Sequence, residues 1–317
     1  MTKTENDTME KWMMIVNPAS ASAMTHETWQ ESLKMLKDGG LEVEAVCTDY
    51  SGHGIHLAFD AAGRGFSKFI AVGGDGTVHE VMTGLLRHAE LSGERLDRFT
   101  LAVLPYGTGN DWIKTARVPK EMEAATRCIL AGRTEREDVV RIAFGQKVFC
   151  MANIGGIGLD ANICYYTNRL KVNGYKGALL YKLVAPYSLF SQHLYPVEIV
   201  CDGKAFYTGP MFSAVIGNGI YRGGGVRQNE PGGSWSDGRL ELSVMGKVTH
   251  IRAFRLMLHA LKGDFAEQKG ILTTRFRSMT IRPLGDKAHR VELDGEIPGR
   301  IPMTVELTGQ QIQIIVP

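Results

Sequence analysis

The sequence predicts a two-part chain, an α/β region built on a parallel sheet followed by a mostly antiparallel β region. Strand-like and helix-like stretches alternate through the first 131 residues. After residue 137 short β-rich runs dominate, with only two helical interruptions. Two of the early strands run directly into glycine-rich turns, the pattern of a parallel sheet with covering helices.

The elements follow in order. Residues 11–17 (KWMMIVN) read as a buried strand ended by Pro18. Residues 25–37 carry Trp29, Leu33 and Leu36 at helical spacing, and Gly39 and Gly40 stop the helix. Residues 41–48 alternate as a strand, 55–62 read as a helix, and 69–72 form a short apolar strand entering Gly73 and Gly74. A helix over 77–89 places Val78, Val81, Met82 and Leu85 on one face. Residues 100–104 are a strand entering a second glycine-rich turn, and 121–131 a helix. The later strands are expected at 139–144, 146–154, 197–201, 212–217, 240–245, 271–276, 279–283, 291–293 and 303–316. Helices are expected at 175–190 and 249–261. In the second, Ile251, Phe254, Leu258 and Leu261 form an apolar stripe read as core rather than as a membrane face.

Composition narrows the classes. The chain has 317 residues, 44% apolar and 22% charged, ordinary for a soluble enzyme with room for two cores. Residues 1–10 are polar and acidic, lack the order of a signal peptide and read as a disordered tail. No apolar run approaches the roughly 18 residues of a membrane span. Five scattered cysteines without CxxC spacing argue against a disulfide framework or zinc site and for a reducing cytoplasm. Charge is uneven: residues 1–145 carry 16 Lys and Arg against 21 Asp and Glu, whereas 146–285 carry 17 against 8, a net +9. A basic middle suits anionic lipid headgroups or a phosphorylated substrate; a merely solvated face is an equal alternative. No nucleic-acid partner is expected.

Three turns would meet at one edge of the parallel sheet, outside the carboxyl ends of its strands: Asn17-Pro18, Gly73 to Thr77, and Gly107-Thr108-Gly109-Asn110-Asp111. Glycine lets a backbone approach phosphate oxygens, and successive N–H groups with a helix N-terminus supply positive potential. A carboxylate in such a loop, Asp75, would face a triphosphate through a divalent metal, so Mg²⁺ is implied. One loop of this kind is more often an ordinary βα turn; two on one edge favour phosphate. The chain has no GxxxxGK[ST]. Gly156 to Ala161 fits the loose pattern GxGxxA, but lies in the β-rich half with no acidic residue about 20 positions on, and is read as a decoy for NAD binding.

Val72 to Glu80 (VGGDGTVHE) resembles the GGDGT-x-x-E loop of the diacylglycerol kinase catalytic domain family, which includes bacterial lipid kinases and sphingosine and ceramide kinases. Pro105 to Trp112 (PYGTGNDW) resembles its P-x-GTGNDF, and Thr48 with Gly52-His53 its T-x-x-x-GH. Asn17-Pro18 resembles its NP start, and Asn153 with Gly158 to Ala161 its N-x-x-x-x-G-F-D-A stretch. Gly223 to Gly225 and Leu293 to Glu296 resemble its GGG and DGE elements, so the match runs in order through nearly the whole chain.

The resemblance implies a nucleotide domain at 11–138, rejoined by about 301–317, and a lipid-binding β-sandwich at 139–300, with the site between them. It implies ATP, held by Asn17, Pro18, Ser20, Thr48, Gly73, Gly74, Asp75, Gly76, Thr77, Glu80, Gly107, Thr108, Gly109, Asn110 and Asp111. Asp294 is implied as the base that takes the proton of the attacking hydroxyl. Glu296 would orient it or meet metal-bound water. Asp160 and Arg222 are implied at the lipid headgroup. Asp294-Gly295 is also a common hairpin-turn dipeptide. Asp237-Gly238 matches half of a structural Mg²⁺ site, but Gly232 and Gly233 stand where the first acid belongs. Small residues, Ala19 to Ala23, replace the family's glycine-containing turn after NP. The expectation is an ATP-dependent lipid kinase acting on diacylglycerol or a related lipid, cytoplasmic, in peripheral contact with the inner membrane surface. Oligomeric state is unreadable, and a homodimer stays open. The alternatives are an NAD kinase-like enzyme, which shares GGDGT, and a non-catalytic nucleotide- or lipid-sensing relative.

Overall fold

The computed structural model describes residues 11–20, 26–107, 109–172, 179–222, 226–227, 234–262, 265 and 267–317. The expected tail at 1–10, Ala21 to Ala23, Thr108, Gly223 to Gly225, Gly232 and Gly233, and the start of the helix expected at 175–190 lie outside the described residues.

The first half alternates as its periodicity requires: β1 (Lys11–Val16), α1 (His26–Asp38), β2 (Glu42–Cys47), α2 (His53–Gly63), β3 (Lys68–Gly73), α3 (Asp75–Ser92), β4 (Thr100–Pro105), α4 (Asp111–Ala116) and α5 (Met122–Ala131). The strands lie parallel in the order β2-β1-β3-β4. β1, β3 and β4 are buried almost throughout, so helices must cover both faces; α1 packs with α5, and α2 with α3.

The second half contains β5 (Thr134–Phe144), β6 (Lys147–Met151), β7 (Ile154–Gly158), α6 (Leu159–Val172), α7 (Leu179–Ser191), β8 (Tyr195–Cys201), β9 (Lys204–Met211) and β10 (Ser213–Gly217). It continues with β11 (Tyr221–Arg222), β12 (Val226–Arg227), β13 (Leu240–Met245), α8 (His250–Lys262), β14 (Ile271–Phe276), β15 (Ser278–Pro283), β16 (Arg290–Leu293), β17 (Glu296–Arg300) and β18 (Met303–Ile315). An antiparallel sheet, β14-β13-β10-β7-β16-β17, faces β5, β8, β15 and β18 across a sandwich core that includes Ile157, Ile199, Leu242, Phe276 and Leu293. The three helices α6, α7 and α8 share a separate core with Phe212, Met245 and Ile271.

β18 makes the two halves one sheet. Its last residues pair parallel with β4, its first pair antiparallel with β15, and β5 runs along its other edge. β5 begins at Thr134, so it crosses the expected boundary at 138–139 without a break.

Two expectations need correction. α6 is a third helix in a half expected to have only two, in a stretch whose Ile163, Tyr165, Tyr166 and Thr167 have strand-like propensity. The buried Leu159, Ile163 and Thr167 lie at helical spacing, and packing decides. In α8 the inward stripe is Ala253, Leu256 and Ala260, and Ile251, Phe254 and Leu258 face outward; the side chain of Leu261 lies outside the description. Both stripes have helical period, and the smaller residues allow the closer approach to the core.

Candidate active site

After β1 the chain places β2 on one side and β3 on the other, so the order reverses between β1 and β3, where an open α/β sheet binds ligands. The segments following these strands are tied there. Asn17 N donates to Val72 O (2.9 Å) and Thr48 N to Val16 O (2.8 Å). Asn17 Nδ2 donates to Thr77 Oγ1 (3.3 Å), and Ser20 Oγ donates to Asn17 O (2.9 Å); Pro18 is exposed beside them. Gly74 is the N-cap of the 18-residue α3, whose first turn holds Asp75, Gly76 and Thr77, so the helix opens at this edge.

The two glycine turns pack back to back. A Cβ on Gly107 would stand 2.4 Å from Gly74 Cα and 2.3 Å from Asn110 Oδ1, and one on Gly73 only 2.1 Å from Thr77 Oγ1. Gly73 O accepts from Tyr106 N (2.9 Å) and Gly107 N (3.2 Å). Asn110 adopts a left-handed φ of 49° and donates Nδ2 to Gly107 O (2.7 Å). At these places only glycine lets the two turns pack this closely.

Asp75 is held by two backbone N–H groups of the second turn. Its Oδ2 accepts from Asp111 N (3.0 Å) and its Oδ1 from Trp112 N (2.9 Å), so it caps α4 from across the gap and locks one turn to the other. Burial pushes its pKa up to about 6, against the opposing pull of these two N–H groups. Among the described residues no three His, Cys, Asp or Glu side chains gather as a metal cage.

The acidic hairpin closes onto the first turn. Asp294 and Gly295 both have positive φ, 50° and 88°, and link β16 to β17 as a two-residue turn. The turn reading of this dipeptide is thus seen in the backbone. The Asp294 side chain is fully buried: Oδ1 accepts from Asn153 N (2.8 Å) and Ile154 N (3.1 Å), and Oδ2 from Ala152 N (2.9 Å), with His79 Nδ1 3.1 Å away. Glu296 lies against the loop itself, its Oε1 3.1 Å from where a Cβ on Gly76 would be. His79 and Glu296 are thus the direct links between the GGDGT and DGE elements.

These motifs match known families across both halves. The family described as "Diacylglycerol kinase catalytic domain" matches residues 11–142, and the "YegS C-terminal NAD kinase beta sandwich-like domain" matches residues 154–316. The chain belongs to the diacylglycerol kinase catalytic domain family. A relative named "Diacylglycerol kinase" from Bacillus subtilis (strain 168) is 29% identical over 98% of this chain and 97% of its own length. One named "Probable lipid kinase YegS-like" from Chromohalobacter salexigens is 30% identical over 84% of this chain and 81% of its own. A crystal structure of a diacylglycerol kinase from Bacillus anthracis str. Sterne superposes with a TM-score of 0.69 at 25% identity, covering 98% of each chain.

Within this kinase fold, several residues hold the machinery from behind. Both oxygens of Glu80 are taken by Gly52 N (2.7 Å) and Gly54 N (2.8 Å), so it braces the start of α2 beside Thr48. Asp111 pairs with Lys114 at 2.6 Å, and Gly109 lies beside Asp75. Trp112 Nε1 donates to Glu137 (3.1 and 3.3 Å), and Asn218 Nδ2 donates to Glu137 Oε1 (3.4 Å) and Ala152 O (3.2 Å). Asp75, Trp112, Glu137, Asn218, Ala152 and Asp294 therefore form one buried polar chain behind the two turns. Asp75, Trp112 and Asp294 stand in motifs visible in the sequence, whereas His79, Glu137 and Asn218 carry no local signature.

Burial holds the Glu137 pKa well above the usual carboxylate range. Glu137→Ala would orphan a buried indole N–H and an amide, and is expected to cost about 2 kcal/mol or more. Glu137→Gln keeps one oxygen for both donors and should cost under about 1 kcal/mol. Urea unfolding of the two variants checks the difference.

The remaining expected site residues lie elsewhere. Asp160, in the first turn of α6, accepts from Ser213 Oγ (2.7 Å) and neighbours Gly156. The backbone of Arg222 is in β11, while its side chain lies outside the description. Asp237 pairs with Arg275 and accepts from Arg239 N (3.0 Å) in its own turn. The decoy pattern is explained by packing. β7 has only antiparallel neighbours, and a Cβ on Gly158, at φ 84°, would stand 2.5 Å from Phe212 O.

Proposed function

We propose that this kinase transfers the γ-phosphoryl group of ATP to the hydroxyl of diacylglycerol or a related lipid. The observation that carries the proposal is the closure of the Asp294–Glu296 hairpin on the GGDGT-x-x-E element, with Glu296 against Gly76 and Asp294 against His79. Backbone of Gly73 to Thr77 and Gly107 to Asp111, with Asn17 and Thr48 at the rim, would hold the nucleotide. Mg²⁺ on the phosphates would neutralise charge that builds up during transfer.

Asp294 is assigned the hydroxyl proton. Its carboxylate is held in place by four neighbours, Ala152 N, Asn153 N, Ile154 N and His79 Nδ1. Three of them are the backbone amides of Ala152, Asn153 and Ile154, where β6 passes into β7. His79 alone is a side chain, buried and stacked on Phe149. Glu296, nearer the cradle, would orient the metal-bearing phosphates. Asp160 and Arg222 remain proposed headgroup contacts. A substrate that lives in a bilayer calls for peripheral membrane contact, on the cytoplasmic side where ATP is found. No helix among the described residues is long and apolar enough to cross a membrane.

Incubation with labelled ATP and a panel of diacylglycerol, sphingoid base, ceramide, phosphatidylglycerol and NAD tests the reading. Label is expected on a lipid, identified by mass spectrometry. Label on NAD alone, or ATP binding without turnover, would sink it in favour of an NAD kinase-like enzyme or a sensing relative.

A further inference from the structure

Leu183, Tyr187 and Phe190 stand along the outer side of α7, and Ile251, Phe254 and Leu258 along that of α8, each set at helical spacing. All six are between 38 and 68% exposed. Each helix also buries a separate stripe, so these residues are surplus to the core. The two outer faces adjoin: Phe190 stacks on His250 at the start of α8, ring centroids 6.3 Å apart, and the helices pack together. Large apolar side chains concentrated in this way mark a surface that meets something.

Charge identifies what it meets. Neither helix contains an Asp or Glu, and together they carry Lys182, Arg252, Arg255 and Lys262. Arg255 follows Ile251 by one turn and Lys262 follows Leu258 by one turn, which places cations beside the apolar stripe. No acidic side chain among the described residues pairs with either. A second copy docking by two-fold symmetry would bring these cations face to face, which like-charge repulsion disfavours. A bilayer with anionic headgroups satisfies both features, taking apolar side chains at the acyl boundary and cations at the phosphates.

We propose that the outer face of α7 and α8 docks on an anionic lipid bilayer. The proposal rests on the lipid-kinase reading only for its purpose. α6, which packs against α7, donates Asn168 Nδ2 to Gly295 O (2.9 Å) at the tip of the acidic hairpin, so the docking layer also holds the site.

Co-sedimentation of the full chain with phosphatidylcholine vesicles, with and without phosphatidylglycerol, tests it. Binding is expected to require phosphatidylglycerol and to weaken with salt. The triple variant Leu183→Ser, Phe190→Ser, Ile251→Ser should weaken binding on the order of tenfold or more, and so should Arg255→Glu with Lys262→Glu. Phosphorylation of a short-chain lipid in solution should be unchanged in both. Undiminished vesicle binding in both variants, or none by the parent chain, overturns the proposal. So does a dimer, seen by analytical ultracentrifugation, that the triple variant disperses. Vesicle binding without phosphorylation of any lipid supports docking while sinking the kinase reading, so the two failures are separable.

Discussion

Asp294→Asn is expected to lower the rate of ATP-dependent lipid phosphorylation by a factor of about 10²–10⁴, the range for losing a positioned proton acceptor. The substitution also has a structural cost. One amide oxygen can keep Asn153 and Ile154 as donors, but the new NH₂ then faces Ala152 N, a mismatch worth about 1–3 kcal/mol. The two effects separate by measurement. Calorimetric titration should show ATP affinity close to that of the parent chain, because the cradle is built by the other half of the molecule. The turnover number should fall at saturating ATP and lipid. Full activity in Asp294→Asn would remove the proton-acceptor assignment and leave Glu296 or His79 as the group to test. A chain that melts far below the parent would show Asp294 to be chiefly an anchor for β6 and β7.

Gly107→Ala should impair the donor side. A methyl group 2.4 Å from Gly74 Cα and 2.3 Å from Asn110 Oδ1 cannot be accommodated by side-chain rotation alone, since one of the neighbours is backbone. The turns must separate, which strains the capping of α4 by Asp75 and spreads the cradle. The expected result is an ATP dissociation constant raised about tenfold or more, with a stability loss of about 1–3 kcal/mol typical of overpacking. Gly65→Ala offers a contrast: a Cβ there meets nothing within 4 Å, and only its positive φ of 95° is strained. It should lose modest stability and keep ATP affinity. Equal loss of ATP affinity in both variants would contradict the cradle.

Much of this was legible in the chain. Alternating periodicity exposed β1 to β4 and the helices between them, because a buried parallel strand and its covering helix each leave a local pattern. The turns at Gly73 and Gly107 were visible because they need close backbone approach, which few residue types allow. The Asp294-Gly295 dipeptide was visible as a turn, since two successive left-handed residues restrict the choice sharply. By contrast, α6 was hidden beneath strand-like propensity, and nothing local marked Glu137 or Asn218, whose partners lie 25 to 81 residues away.

The stripe on α8 shows the boundary between the two kinds of information. Two sets of residues share the helical period, and spacing cannot say which one turns inward. The smaller set, Ala253, Leu256 and Ala260, did. Asp75 shows it again. The sequence shows a carboxylate inside a glycine-rich loop, but only folding reveals that two backbone N–H groups, from Asp111 and Trp112, reach its oxygens. The sequence by itself determined the parallel sheet, its glycine-rich edge and the family. Tertiary structure decided how β18 joins the two halves, which acid meets which turn and which helix faces stay exposed. Local patterns report what a residue's own backbone needs, while these contacts join residues far apart in sequence and exist only once the chain has closed on itself.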